Sequence, residues 1–481
     1  MQNNERNTVS NETEKSAVKF KRFYAGESRR SVGGPKIRRP MNVSQFIALV
    51  FIGIILTGTV LLSLPAASRD GTPAGFVESL FTATSATCVT GLVLSDTWTQ
   101  WSGFGQTVIA MLIEIGGLGF VSIASFVIYA VKKKLNVNEQ MLVAQSIGTD
   151  DITDSLRVQR KVIAYCLSVE AAGAVLLTLR FWPEYGFLSA LKLGAFHSVS
   201  AFCNAGFDIM GFEAPGGSLT KYGSDPAVCG ILSLLIVIGG LGFLVWDDIL
   251  RNPRPRKWSV YTKLVVVTNL VLIFGGAVLF FILEYGNPGT IGEMSVFRKV
   301  TASFFQSVTT RTAGFAGVDQ ASLTEAGKAV TIVLMFIGGS SGSTAGGLKT
   351  VTFAVLILFL WSRVTGRKAV RAFKRTVQDS HVLNALTVFG LMILLSVAGG
   401  SVISATSPVS LTDGLFESVS ALATVGLSTG ATPALSTVAK FMIIVLMYFG
   451  RVGLLTICIG FLQEKRSVNK IKYAETSLLI G

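Results

Sequence analysis

Long uncharged apolar runs alternate with short ones along this chain, and the alternation recurs four times. Residues 46–64 form the first run, 19 residues long, against the roughly 20 that a helix needs to cross a hydrocarbon core. Arg69-Asp70-Gly71-Thr72-Pro73 interrupts it. Residues 74–86 are then apolar but too few to span, which suits a re-entrant helix. A polar segment after Gly91 carries Asp96, Trp98 and Trp101, the two rings suited to interfacial depth. Residues 106–131 make the second full span. The same order of span, half-span, glycine stretch and span is predicted at 161–181, 188–202, 204–210 and 227–250. It returns at 261–284, 293–309, 310–317 and 329–361, and again at 381–405, 411–422, 423–430 and 438–463.

Each half-span ends in a related motif. Phe81-Thr-Ala-Thr-Ser-Ala-Thr-Cys-Val-Thr-Gly91 precedes Ile115-Gly116-Gly117, and Phe196-His-Ser-Val-Ser-Ala-Phe-Cys-Asn-Ala-Gly206 precedes Ile238-Gly239-Gly240. Ser307-Val-Thr-Thr-Arg-Thr-Ala-Gly314 precedes Ile337-Gly338-Gly339, and Phe416-Glu-Ser-Val-Ser-Ala-Leu-Ala-Thr-Val-Gly426 precedes Phe449-Gly450-Arg451. The glycines ending the motifs are 115, 108 and 112 residues apart (206 − 91, 314 − 206, 426 − 314), too long for a solenoid unit. Each copy is therefore a supersecondary assembly, and an even number of spans per copy makes the copies parallel. The expected architecture is an all-α integral membrane protein with eight spanning helices and four re-entrant pore helices around a central pore. Its repeats occupy 41–134, 135–251, 252–375 and 376–463, between a basic tail, 1–40, and a C-terminal tail, 464–481.

Composition agrees. Half the residues are hydrophobic and 15% are charged, where soluble domains carry about a quarter. Lys132 to Lys134 with Arg157 and Arg160, then Arg251 to Lys257, then Arg363 to Arg375, fall between copies on the side of the basic N-terminal tail. An excess of Lys and Arg in short loops marks the cytoplasm, so both termini are placed there and the glycine stretches open outward. The net charge of +14 thus reports topology and needs no nucleic acid. The five cysteines form neither a disulfide framework nor a metal spacing. No phosphate loop, nucleophile elbow or catalytic cluster is present, so an enzyme is not expected.

Non-helical backbone survives at membrane depth only where protein buries it or it lines a watery path. Four such stretches can converge on one axis, where carbonyls replace the hydration shell of a monovalent cation. Glycine permits the backbone angles this demands. The residues placed there are Cys88, Thr90 and Gly91; Asn204, Ala205 and Gly206; Thr312, Ala313 and Gly314; and Thr424, Val425 and Gly426.

With these motifs, residues 41–463 resemble the Trk/Ktr/HKT superfamily of potassium transporters, and most resemble the membrane subunit of its Ktr branch. The resemblance implies potassium uptake across a bacterial cell membrane through a filter with one glycine per repeat. It also implies a homodimer in lipid and a cytosolic nucleotide-binding regulatory subunit. Sodium dependence stays open, and so do transport of sodium or another monovalent cation and a secondary transporter with alternating access. The third copy departs by being one residue short when Phe305 is aligned with Phe416, and by carrying Arg311.

Two departures from the repeat bear on control. Gly338-Gly339-Ser340-Ser341-Gly342-Ser343-Thr344-Ala345-Gly346-Gly347-Leu348-Lys349 holds five glycines and three serines, poor material for a helix. It is either a seam of small residues or an unwound intramembrane loop, which the resemblance makes the gate, with Lys349 as its anchor. Arg451 stands where the other copies have Gly117, Gly240 and Gly339. A lone guanidinium in a span should face the interior. It either pairs with a carboxylate such as Glu114 or with pore-helix carbonyls, or, as the resemblance suggests, forms an electrostatic barrier beside the ion path. Glu417, at the foot of the fourth half-span, is read as a cation attractor or a helix cap. His197 and His381 are read as structural.

Overall fold

The computed structural model describes residues 43–119, 155–367 and 369–453. Among them the secondary structure is helix, joined by irregular loops, with one two-residue antiparallel ribbon, Arg371–Ala372 with Arg375–Thr376. In chain order the helices of nine residues or more are α1 (Val43–Leu62), α2 (Phe76–Thr87), α3 (Gly103–Leu118), α4 (Ser155–Tyr185), α5 (Phe187–Phe202), α6 (Pro226–Leu241), α7 (Phe243–Arg251), α8 (Val260–Glu284), α9 (Val296–Thr309), α10 (Glu325–Phe336), α11 (Thr350–Val364), α12 (Asp379–Thr406), α13 (Leu411–Leu422) and α14 (Thr437–Val452). The four short helices α2, α5, α9 and α13 lie within about three residues of the half-spans read from the sequence.

Each short helix packs on the long helix before it at a repeated contact. Two residues past the opening phenylalanine of the motif stand Ala83, Ser198, Ser307 and Ser418, and these face Gly58, Gly173, Gly276 and Gly399 on α1, α4, α8 and α12. The three serines also donate to the carbonyls of Glu170, Ile273 and Ser396, at 2.6, 2.7 and 2.8 Å. Each of those carbonyls lies three residues before the facing glycine. Small residues on both sides let the backbones approach where lipid gives no hydrophobic drive for association.

The helix after each glycine stretch also starts the same way. Ser102, Asp225, Thr324 and Ser436 cap α3, α6, α10 and α14, accepting from Gly105, Ala227, Gly327 and Ala439 N–H at 3.2, 2.9, 3.0 and 3.2 Å. Such caps contribute roughly 1 kcal/mol each. They fix where the chain turns back.

Eight uninterrupted spans are not what the described residues show. Lys161–Tyr185, Val260–Glu284 and Asp379–Thr406 are long and apolar enough to cross alone. The expected span 227–250 is bent by 96° between α6 and α7, at Gly242, whose φ is +91°. The break is held open: Phe243 N–H donates to Gly342 O at 3.1 Å, and the Tyr261 hydroxyl donates to Ser341 O at 2.9 Å. The helices begun at 106 and 438 likewise end at left-handed glycines, Gly119 and Gly453; the rest of those expected spans lies outside the described residues. The expected span 329–361 divides into α10 and α11 around the glycine-serine segment. Trp101 also departs from expectation, being buried.

Candidate functional site

The short helices deliver the four glycines to one place. A Cβ on Gly91 would lie 3.1 Å from the Cα of Gly206, one on Gly206 2.8 Å from Gly314, one on Gly314 3.2 Å from Gly426, and one on Gly426 3.0 Å from Gly91. Four contacts close a ring. Each added Cβ would also strike the carbonyl oxygen before the next glycine, namely Ala205, Ala313, Val425 and Thr90 in turn. All four glycines have positive φ, from +70° to +96°, as do Val89, Asn204, Thr312 and Thr424 two residues earlier. Non-glycine residues rarely adopt this region, so its recurrence at equivalent positions marks a built conformation.

Hydrogen bonds show which way the carbonyls face. Thr90, Ala205 and Val425 N–H donate to the Ser85, Ser200 and Ser420 carbonyls at 2.8, 2.7 and 2.8 Å. Gly91 and Gly426 N–H donate to the Ser85 and Ser420 hydroxyls at 3.0 and 3.1 Å. In the third copy Ala313 and Gly314 N–H both donate to Thr309 O, at 2.9 and 3.3 Å. Thr309 is five residues before its glycine and the serines are six before theirs, so the missing residue is absorbed between Thr309 and Thr312. In a trans peptide the C=O points opposite to the N–H. Tying the N–H groups back to the short helices therefore turns the carbonyls of Val89, Thr90, Asn204, Thr312, Ala313, Thr424 and Val425 away from those helices, toward the ring. These clamping hydroxyls were written in the motif, four residues past each opening phenylalanine, but Ser85 and Ser420 were not singled out. Cys88 stands one step back as the C-cap of α2.

Beyond the ring opens a cleft of about 610 Å³ lined by the four glycines and the segments after them, including Asp96, Asp208 and Asp319. Before the ring, the segment from Gly338 to Lys349 forms a loop whose ends are paired. Gly338 N–H donates to Leu348 O at 2.9 Å and Leu348 N–H to Phe336 O at 3.1 Å. Ser340 and Thr344 N–H reach Gly240 and Gly239 O at 3.0 and 3.3 Å, and the Thr344 hydroxyl donates to Phe202 O at 3.1 Å. Ser343 Oγ donates to Ser340 O at 2.7 Å. A Cβ on Gly346 would strike Thr424 Oγ1, and one on Gly339 the methyl of Ala345. Gly347 has φ +66° and Gly342 +72°. Lys349 Nζ donates to Ala345 O at 2.7 Å, tying the loop to itself.

Arg451 bonds to main chain, and Glu114 is not its partner. Its guanidinium donates to Thr344 O, Gly116 O and, at 3.1 Å, Gly117 O. It therefore bridges the loop to the end of α3 and does not reach the pore-helix carbonyls. Glu114 instead faces Cys203 Sγ at 3.6 Å, which also lies 3.8 Å from Glu170 Oε1. Arg311, buried behind the third glycine stretch, donates to Gly338 O at 2.8 Å. Glu417 is neither a cap nor open to the cleft. It is 0% exposed and accepts from the segment after Gly426. His197 is buried with Nδ1 against Leu193 O at 2.8 Å, and His381 is exposed.

The TrkH family, described as a cation transport protein, matches residues 38–471. The chain belongs to this family. Its relatives include the potassium/sodium uptake protein NtpJ of Enterococcus hirae, 38% identical over 93% of this chain and 99% of the relative. The Ktr system potassium uptake protein B of Bacillus subtilis is 38% identical over 91% and 96%, and that of Vibrio alginolyticus 35% over 95% and 98%. The crystal structure of the potassium transporter TrkH from Vibrio parahaemolyticus shares the fold, with a TM-score of 0.67 at 18% identity over 89% of this chain and 87% of that one. Membership in the TrkH family places the chain among transporters.

Proposed function

We propose that this protein takes up potassium through a channel-like pore built from four parallel helix, pore-loop, helix repeats of one chain. The observation that carries the reading is the closed ring of glycines, each loop clamped by its N–H groups so that its carbonyls face a common centre. Such a ring supplies the dense set of oxygens that substitutes for water around a monovalent cation. The aspartates of the outer cleft raise the local cation concentration. The names of relatives, potassium uptake in each case and potassium/sodium in one, favour potassium with sodium as the second ion to test. Purified protein in potassium-loaded liposomes gives rubidium uptake that potassium competes for and sodium does not; equal competition by sodium would sink the potassium reading.

The loop 338–349 serves as the gate in this reading. Its glycines and serines give it two arrangements at small cost, and Arg311 and Arg451 hold the observed one. Arg451 adds a positive charge beneath the ring, which opposes cation passage until it moves. A homodimer in the lipid bilayer, and a cytosolic nucleotide-binding ring docked on the basic loops between repeats, complete the reading.

A further inference from the structure

One residue past the phenylalanine that opens each pore-helix motif stand Thr82, His197, Gln306 and Glu417. Two of the four reach across to the segment leaving the ring. The Glu417 carboxylate accepts from the Ser428 hydroxyl at 2.6 Å and Thr429 N–H at 3.1 Å through Oε1, and from the Thr432 hydroxyl at 2.6 Å through Oε2. Gln306 Nε2 donates to Gln320 Oε1 at 2.7 Å, and Gln320 Nε2 donates back at 3.1 Å and to Val318 O at 2.8 Å. Thr432 is six residues past Gly426, and Gln320 is six past Gly314. The same two repeat positions are thus joined in adjacent copies by unrelated side chains. In the second copy the counterpart, His197, leaves Nε2 without a hydrogen-bond partner, and the residue six past Gly206 is Phe212, 38% exposed.

The N–H clamps described above secure the incoming half of each loop, and in the second and third copies the Ser200 and Thr309 hydroxyls also hold the first outgoing residue, donating to Phe207 and Phe315 O at 2.7 and 2.8 Å. Farther out, the fourth loop has Glu417 on residues 428–432 and the third has the Gln306–Gln320 pair. A carboxylate buried among three donors is costly to remove, because its donors are then left unsatisfied. A ring that must keep its width around a large ion has to resist closing on a smaller one.

We infer that Glu417 is a positioning residue for cation selection, bracing the segment 428–432 so that the Gly426 carbonyl set holds its width, with Gln306 in the same role at Gly314. The inference rests on the filter reading proposed above, and its test separates the two. Rubidium and sodium uptake are measured in liposomes for wild type, Glu417→Ala, Glu417→Gln, Thr432→Val and Gly426→Ser, at equal protein incorporation. Glu417→Ala lowers the rubidium-to-sodium ratio at least about fivefold. Glu417→Gln keeps most of it, because the amide oxygen still accepts and the Thr432 hydroxyl can turn to accept from the amide nitrogen. Thr432→Val approaches the brace from its other end and carries the test if Glu417→Ala does not assemble. Unchanged ratios in Glu417→Ala and Thr432→Val, beside a shifted ratio in Gly426→Ser, overturn the brace alone. An unchanged ratio in Gly426→Ser as well overturns the filter reading.

Discussion

A side chain at Gly91, Gly206, Gly314 or Gly426 faces two obstacles, a positive φ and the oxygen of the adjoining loop. The first costs about 1–2 kcal/mol for an L residue. The second forces the neighbouring carbonyl outward, where it no longer serves the common centre. Gly314→Ser is therefore expected to lower the preference for potassium over sodium by about tenfold, since tenfold corresponds to 1.4 kcal/mol. Competition of each cation against rubidium uptake checks it, and an unaltered ratio would count against the ring as selector. Arg451 is the other side chain on which the proposed reading turns. Replaced by Gln, it loses its charge beneath the ring and part of its grip on Thr344, and basal flux should rise about tenfold, the effect of removing a barrier of roughly 1.4 kcal/mol. At this scale the sequence was most legible where a residue type repeats: the four glycines stand out by spacing alone. The role of Glu417 stays open in the sequence because its partners, Ser428 to Thr432, become neighbours only when the loop folds back.

Elements were legible by length and obscured by breaks. The half-spans were located closely because polar segments bound them on both sides. The helices after the ring were expected to run on; the one from 227 instead bends by 96° at Gly242, and those from 106 and 438 reach a left-handed glycine at the edge of the described residues, Gly119 and Gly453, each three residues past the first of its glycine pair or its equivalent. The repeated glycine was in the sequence, but apolar residues continue on both sides of it and hydrophobic pattern alone cannot detect a break. The third copy breaks earlier, at Phe336, and inserts the loop. Its paired ends make one variant instructive. Deleting Gly339 to Gly346 removes the loop while Gly338 and Leu348 already sit in hydrogen-bond contact, so the chain can close across the gap. Basal rubidium flux should rise severalfold in the deleted protein; an equal or lower flux at equal incorporation would remove the loop from gating.

For the whole molecule, the proposed filter predicts that an ion held in the ring adds to the stability of the fold. Converging carbonyls repel one another unless a cation sits among them, so on the proposed filter reading potassium would bind the assembled form and not the unfolded chain. At a concentration 100 times its dissociation constant a ligand adds about 2.7 kcal/mol, and thermal unfolding in detergent should shift up by several degrees in potassium relative to an equal concentration of a large organic cation. Loss of that shift in Gly314→Ser ties it to the ring. The parallel order of the repeats is an expectation drawn from an even number of predicted crossings per copy, and labelling of the loops between copies from each side of the membrane checks it.

The ring is covalently one molecule, and that has an evolutionary consequence. In an assembly of four identical chains any codon change strikes every quadrant at once, whereas here one quadrant can drift while three stay fixed. The third copy is one residue shorter than the others and carries Arg311, and the second has a histidine where the fourth has a glutamate. Ion preference in such a protein can be adjusted a quarter at a time, and the same substitution made in turn at each of the four glycines need not give the same transporter.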